Sequence, residues 1–458
     1  MIGGSSSILE LNIPLFSNAI QRIGNNLTRL KLEIPWVTIT SSNITIKLMS
    51  LLDTCPNLIQ LTYKLKNLES DDMDGDIQPL TGSQKQYPLM ELELYLHRTT
   101  RDVMEPLLKC CHRLQRLMLW NCMEDFMDLV DMYCPYLQIL SYNTEEYEVM
   151  KLDKIKNYNG TVESSGLRAL YGLYRFPDAN SNPFWRPLSF IERNAATLDE
   201  ITIWGIPDFR EANGFLTNTQ LPNLRKLRIP IECEDNNPIV NQLLRYIPTC
   251  SALTTLQVGY CETLPKLVDS LIELQRPLQT LELQLLHKRE LHNNEDERSL
   301  LRLFQYYAST TTVTTSFEKI TLFEAGDYYI LTDKILDALS DIKTLTEVDV
   351  FSLSPKISGQ GLQLFFNKLS ATKVTHVNLG NLTNCLDEHI ITLAKSLQHS
   401  LTHIQLDALI NITEYSILFL IQKAIHLNQI TVNFCIYIDD NEILVQHAKE
   451  KNIKYTVT

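Results

Sequence analysis

From Ile8 to Leu427 the apolar residues fall into one recurring pattern, apolar-x-x-apolar-x-apolar, closed by another small or apolar residue. Copies begin at Ile8, Leu27, Leu58, Leu89, Leu114, Leu137, Leu198, Leu224, Leu253, Leu278, Phe317, Leu345, Val374, Leu401 and Leu427. The clearest read "LQRLMLWNC" (114–122), "LTTLQVGYC" (253–261) and "LQTLELQLL" (278–286). The interval from Leu137 to Leu198 spans two periods, and "LRALYGLY" from Leu167 supplies a degenerate copy inside it. The mean period is about 28 residues, the mark of stacked repeats. Within each copy the end of the pattern alternates with period two, which predicts a short strand with one buried face. Between copies the apolar spacing becomes helical. In "DEHIITLAKSL" the residues Ile390, Leu393, Ala394 and Leu397 share a face, and in "TEYSILFLIQKAI" so do Ile417, Leu420, Ile421 and Ala424. One strand and one helix per turn predict an α/β solenoid, a horseshoe with a parallel inner sheet and outer helices. No single repeat buries its own apolar face, so neighbours must stack.

The cysteines follow the same frame. Cys55, Cys111, Cys134 and Cys250 stand three residues before the first apolar position; Cys122, Cys261 and Cys435 stand eight after it. Cysteine is small and apolar enough to be buried where helix meets strand and where the chain leaves the strand. Pro56, Pro135 and Pro222 end the preceding helices, because proline donates no hydrogen bond and disfavours helix in the residue before it. These cysteines are read as structural.

The pattern is that of leucine-rich repeats, about 15–16 of them, running as a single domain over 1–458. It resembles the cysteine-containing repeats of the F-box and leucine-rich-repeat family. "CPNLIQL", "CPYLQIL" and "CSALTTLQVGYC" match the first half of that family's repeat, and "LTDKILDAL" (331–339) and "ITEYSILFL" (412–420) the second. The resemblance implies the substrate-recognition part of a cullin-RING ubiquitin ligase, in which an N-terminal F-box docks the adaptor subunit and the repeats hold the substrate. No L-P-x-E-I-L-like helix opens this chain, and the repeats are in register from Ile8. The adaptor is therefore expected as a partner only if an F-box lies upstream. The other reading is a stand-alone intracellular scaffold or inhibitor without a ubiquitin role.

Composition narrows the partner. Apolar residues make up 44% and charged residues 21%, and the net charge is −13. No basic cluster stands out, so nucleic acid is not an expected partner. The N-terminus lacks the charged and apolar regions of a signal peptide, and no apolar run reaches the roughly 18 residues of a membrane span. With ten cysteines and no secretion signal, the expected compartment is the cytoplasm or nucleus.

Strand positions three, five and seven should point away from the core, onto the concave face. Position seven is aromatic at Tyr95, Trp120, Trp204, Phe323 and Phe351, and Tyr260 follows at position eight. Aromatics on such a face are candidate hot spots for a protein or peptide partner, or they pack on one another or under an inserted loop. Arg116 and Arg228 join them in a face of mixed charge, which suits a protein better than a polyanion. Three irregular segments interrupt the period, at 66–88, 144–197 and 287–316. In the first, Asp72, Asp74, Gly75 and Ile77 approach the spacing of a calcium loop, but Thr81 stands where the bidentate glutamate belongs. In the third, "SLLRLFQYYA" predicts a helix.

Glu347, His376 and His403 share position three of successive repeats. Strand spacing of about 4.8 Å spreads a straight row too widely for one metal ion, so a polar surface row is expected. "SGQGL" (358–362) reads as a turn before a helix, without the third glycine of a dinucleotide motif. No nucleotide loop, nucleophile elbow or H-E-x-x-H motif occurs, so no cofactor, metal site, catalytic residue or enzymatic activity is expected.

Overall fold

The computed structural model describes residues 19–34, 48–65, 85–99, 101–122, 126–142, 166–173, 187–204, 220–229, 244, 247–259, 264–275, 278–286, 293–309, 317–325, 329–438 and 442–457. The chain forms two compact units, Met1–Pro207 and Asp208–Thr458. The first carries β1 (Arg29–Ile34), β2 (Gln60–Leu65), β3 (Glu91–Thr99), β4 (Arg116–Cys122), β5 (Ile139–Tyr142), β6 (Ala169–Leu173) and β7 (Glu200–Trp204). The second carries β8 (Lys226–Ile229), β9 (Thr255–Val258), β10 (Thr280–Leu286), β11 (Lys319–Ala325), β12 (Glu347–Phe351), β13 (His376–Gly380), β14 (His403–Asp407), β15 (Gln429–Asn433) and β16 (Lys454–Val457). Within each unit every strand pairs in parallel with the next in chain order. The fold is an α/β leucine-rich-repeat solenoid.

Strands β1 to β15 each begin two residues after a repeat leucine or its substitute, from Leu27 to Leu427. The degenerate copy at Leu167 forms β6, and "IKYTV" forms β16. The copy at Ile8 lies outside the described residues. Pairing keeps the repeat positions level: Val348, Val377, Ile404 and Ile430 stand side by side, as do Val350, Leu379, Leu406 and Val432, and all eight are buried. Helices close each turn, among them Asp333–Ser340, Gly359–Leu369, Asp387–Ser396 and Glu414–Lys423, with apolar faces buried as the periodicity predicts. In the third irregular segment the helix runs Asn293–Ser309.

The Cys-Pro step acquires a physical account. The Cys55 carbonyl accepts from the Leu58 amide at 3.1 Å, and Cys134 does the same for Leu137 at 3.2 Å. Proline follows the accepting residue, where its fixed φ suits the turn and no amide donor is needed. Cys55, Cys111, Cys134, Cys250 and Cys435 are all buried. Burial pushes the Cys134 thiol up to about 12, so it stays a neutral, unreactive packing group.

Neighbouring helices in the second unit are tied end to end. Asp333 accepts from the Ser358 amide at 2.7 Å and its hydroxyl at 2.6 Å, and Asp387 treats Thr413 in the same way at the same distances. The Asp333 carboxylate lies so close to Gly361 that an added Cβ would sit 1.9 Å from Oδ1. That approach explains the glycine within "SGQGL". The stretch is the N-cap and first turn of a helix, with Ser358 Oγ accepting from the Gly361 amide at 3.0 Å.

Candidate functional site: the sheet face away from the core

Because the register is level, positions three, five and seven form continuous rows across the strands. In β4–β6 part of these rows closes into an apolar cluster, beside the polar Arg116, Ser141, Glu200 and Thr202. Met118, Trp120, Ala169 and Tyr171 form one buried cluster, with Tyr95 and Ile139 packed against it. Trp120 is 3% exposed and Tyr171 4%. The Tyr95 and Trp120 rings are tilted at 40°, with centroids 6.1 Å apart. Ser141 and Thr202, at position five of their strands, are buried as well.

In β11–β15 the same rows are mostly polar and half-exposed, with Asp349 and Gly380 buried among them. Position three reads Lys319, Glu347, His376, His403, Gln429; position five reads Thr321, Asp349, Asn378, Gln405, Thr431; position seven reads Phe323, Phe351, Gly380, Asp407, Asn433. Lys319 Nζ lies 2.7 Å from Glu347 and 3.6 Å from Asp349. Asp349 also accepts from Thr321 Oγ1 at 2.8 Å and Asn378 Nδ2 at 2.7 Å. Burial raises the Asp349 carboxyl above the usual range, while Lys319 and the Thr321 hydroxyl pull it back. Asp407 accepts from Gln405 at 2.7 Å and Asn433 at 2.6 Å.

The two imidazoles of the row are stacked, with centroids 4.3 Å apart and planes 7° from parallel. Parallel rings aim their lone pairs side by side and do not converge on one ion. Among the described residues no three His, Cys, Asp or Glu side chains come together to hold a metal. Burial and the neighbouring His376 hold His403 below the usual imidazole range, and Glu347 opposes them.

Phe323 is 36% exposed, and its ring centroid lies 6.0 Å from that of half-buried Phe351. Phe351 leans over Gly380, where a Cβ would fall 2.1 Å from the ring. Tyr95, Arg116 and Arg228 are half-buried on the same sheet faces, Arg116 level with Glu91 and Arg228 level with Gln257. Trp204 closes β7, but its side chain, Tyr260 and the segment with Asp72, Asp74, Gly75 and Ile77 lie outside the described residues. The aromatics thus fall into two pairs, Tyr95–Trp120 and Phe323–Phe351, that pack on each other.

The sequence reading places the acidic Asp349 on this face but does not single out Asp407 and Gly380, although their level positions are readable in the repeat frame. It also missed Glu324, the residue after Phe323. This carboxylate is 2% exposed and accepts from the amides of Ile330 and Leu331 and from the Ser352 hydroxyl. Burial pushes its pKa up against those hydrogen bonds. Glu324 organises the exit from β11 and is not aimed at the open face.

No family model and no curated protein matches the chain. Solved structures do resemble it. One is the Rad7 and Elc1 complex of yeast, at 15% identity and a TM-score of 0.43, over 77% of this chain and 80% of that one. Another is the TLR13–ssRNA13 complex, at 12% identity and a TM-score of 0.40, over 85% of this chain and 44% of that one. Among the described residues no helix is long and apolar enough to cross a membrane.

Proposed function

We propose that this chain is a non-enzymatic protein-binding module, the substrate-recognition part of an F-box subunit of a cullin-RING ubiquitin ligase acting in the cytoplasm or nucleus. The observation that carries protein binding is the β11–β15 face. Its polar side chains are held in place by their own hydrogen bonds, most of them stay half-exposed around the buried Asp349, and the outward Phe323 stands beside them. Pre-ordered groups lose little entropy when a partner arrives, and an exposed aromatic at the edge of a polar field offers it an apolar anchor. The ubiquitin assignment is supported by the resemblance of "CPNLIQL" and "LTDKILDAL" to the F-box and leucine-rich-repeat family.

The test is affinity isolation of the protein from the cells that make it, with quantified recovery of companions. Cullin and adaptor recovered together with a further protein would support the assignment, provided that Phe323→Ala with Phe351→Ala loses only the further protein. Recovery of a partner without cullin or adaptor would contradict the ligase role and leave a free-standing scaffold.

A further inference from the structure

Another surface forms where the chain leaves β13, β14 and β15. Asn381, Ala408 and Phe434 each follow their strand directly, and all three hold left-handed backbone, with φ of 58°, 50° and 54°. Asparagine is among the few non-glycine residues that adopt this conformation readily, and a bulky aromatic resists it. The position suits asparagine, yet after β15 it carries phenylalanine. The Phe434 side chain is 77% exposed, so burial does little to offset its backbone strain. Strain kept without a packing reason is the mark of a functional position.

The change recurs at neighbouring positions. Counted from the same register, Thr383, Ile410 and Ile436 are equivalent, as are Asn384, Asn411 and Tyr437. The count holds beyond the strands, because Leu382, Leu409 and Cys435 are buried, and so are Cys385, Ile412 and Ile438. Asn384 and Asn411 pin their loops by donating, at 2.7 Å each, to the carbonyls of Ile357 and Thr383. Tyr437 replaces that asparagine and is 62% exposed, beside Ile436 at 69%. The second residues of the helices follow suit, from Glu388 to the exposed Tyr415 and Ile443. Ile410, Tyr415, Phe434, Ile436, Tyr437 and Ile443 thus gather on one rim, where the β13 repeat is polar. An exposed apolar patch of this kind marks an interaction site.

Charge decides what fits it. Over 381–388, 407–415, 433–438 and 442–445 there is no lysine or arginine. The same spans hold the carboxylates of Asp387, Glu388, Asp407, Glu414 and Glu442. The helical lysines of these repeats, Lys395, Lys423 and Lys449, stand in last turns, at the opposite ends of the helices. A second copy laid rim to rim would set carboxylates against carboxylates. An apolar stripe flanked by lysine or arginine would complement both the patch and its frame.

We propose that the strand-exit rim of the β13–β15 repeats, centred on Phe434, Ile436 and Tyr437, docks a basic amphipathic segment of a protein partner. This surface is separate from the β11–β15 sheet face, and the proposal does not depend on that face binding anything.

The full chain is titrated with a fluorescent amphipathic peptide of leucine and lysine. Two counterparts carry glutamate for lysine or serine for leucine. The leucine–lysine peptide should bind, and each counterpart should bind at least about tenfold more weakly. Phe434→Asn with Tyr437→Asn returns the β15 exit to the residues found after β13. That variant should melt no lower than the parent, because asparagine tolerates the left-handed backbone, yet bind the peptide about tenfold more weakly. Glu414→Gln with Glu442→Gln should weaken binding about threefold and reduce its salt dependence. Phe323→Ala with Phe351→Ala should bind the peptide like the parent, which separates the rim from the sheet face. Sedimentation of the chain alone checks the competing occupant: a dimer that dissociates in the asparagine variant would mean that a second copy covers the rim, and would overturn the proposal. Equal binding of either counterpart, unchanged binding by the asparagine variant, or a lower melting temperature of that variant would overturn it as well.

Discussion

The β4–β7 face and the β11–β15 face share one repeat register and differ in what the register carries. In the first, Met118, Trp120, Ile139, Ala169 and Tyr171 pack into a closed apolar cluster, and the polar Ser141, Glu200 and Thr202 of the same rows are buried beside it. In the second the same positions hold Glu347, His376, His403, Asp349, Asn378 and Asp407, tied by side-chain hydrogen bonds. A strand position therefore sets which side of the sheet a residue occupies and nothing more. Whether that side works as core or as binding surface depends on the neighbours two strands away. Trp120 and Phe323 occupy the same repeat position, yet one is structural and the other solvent-facing.

This contrast can be broken by substitution. Trp120→Ala should cost the first unit about 3–5 kcal/mol, as for a large buried aromatic, read as an earlier unfolding transition. Glu324→Ala should cost the second unit roughly 2–4 kcal/mol, because two buried amides and a hydroxyl lose their acceptor. Glu324→Gln, which keeps an acceptor, should cost distinctly less. A smaller loss, about 1–2 kcal/mol, is expected for Asp349→Ala, which removes the acceptor of Thr321 and Asn378. Phe323→Ala should stay within about 1 kcal/mol of the parent, because the ring is already partly in water. If Trp120→Ala and Phe323→Ala proved equally mild, the two faces would not differ as described.

The smallest effect concerns pH. His403 binds its proton less readily when folded than when unfolded. As pH falls through about 6.5 the unfolded state gains more protons, so this residue should lower stability on acidification and not on alkalinisation. Denaturant midpoints at pH 7.5 and 5.5 should show a reduced acid loss in His403→Gln. A larger acid loss in that variant would contradict the assigned direction.

Much of the fold was legible in the chain because the repeat is local. A leucine two residues before each strand, a small residue at the helix-strand junction and a proline after it all act within one turn of chain. Leu167 shows how far this reaches: the copy it starts is poor by pattern, yet β6 pairs level with β5 and β7. The site was less legible. The spacing named Phe323 and Phe351 but not Gly380, whose role depends on a ring from the preceding strand. It placed Glu347, His376 and His403 in one row, but the stacking of the two rings depends on their rotamers and on the level pairing of β13 with β14. Glu324 gave no signal, since a glutamate after a strand reads as surface until the amides of Ile330 and Leu331 fold back onto it.

The central claim is that the β11–β15 face, and not the helical side of the solenoid, receives a protein. A photo-crosslinking amino acid placed at Phe323 and, separately, at the exposed helical residue Gln422 tests it in the cells that make the protein. The account predicts a discrete adduct from position 323 that disappears when Phe351→Ala is added, and none of that mass from position 422. Adducts of the same mass from both positions, or from 422 alone, would contradict it.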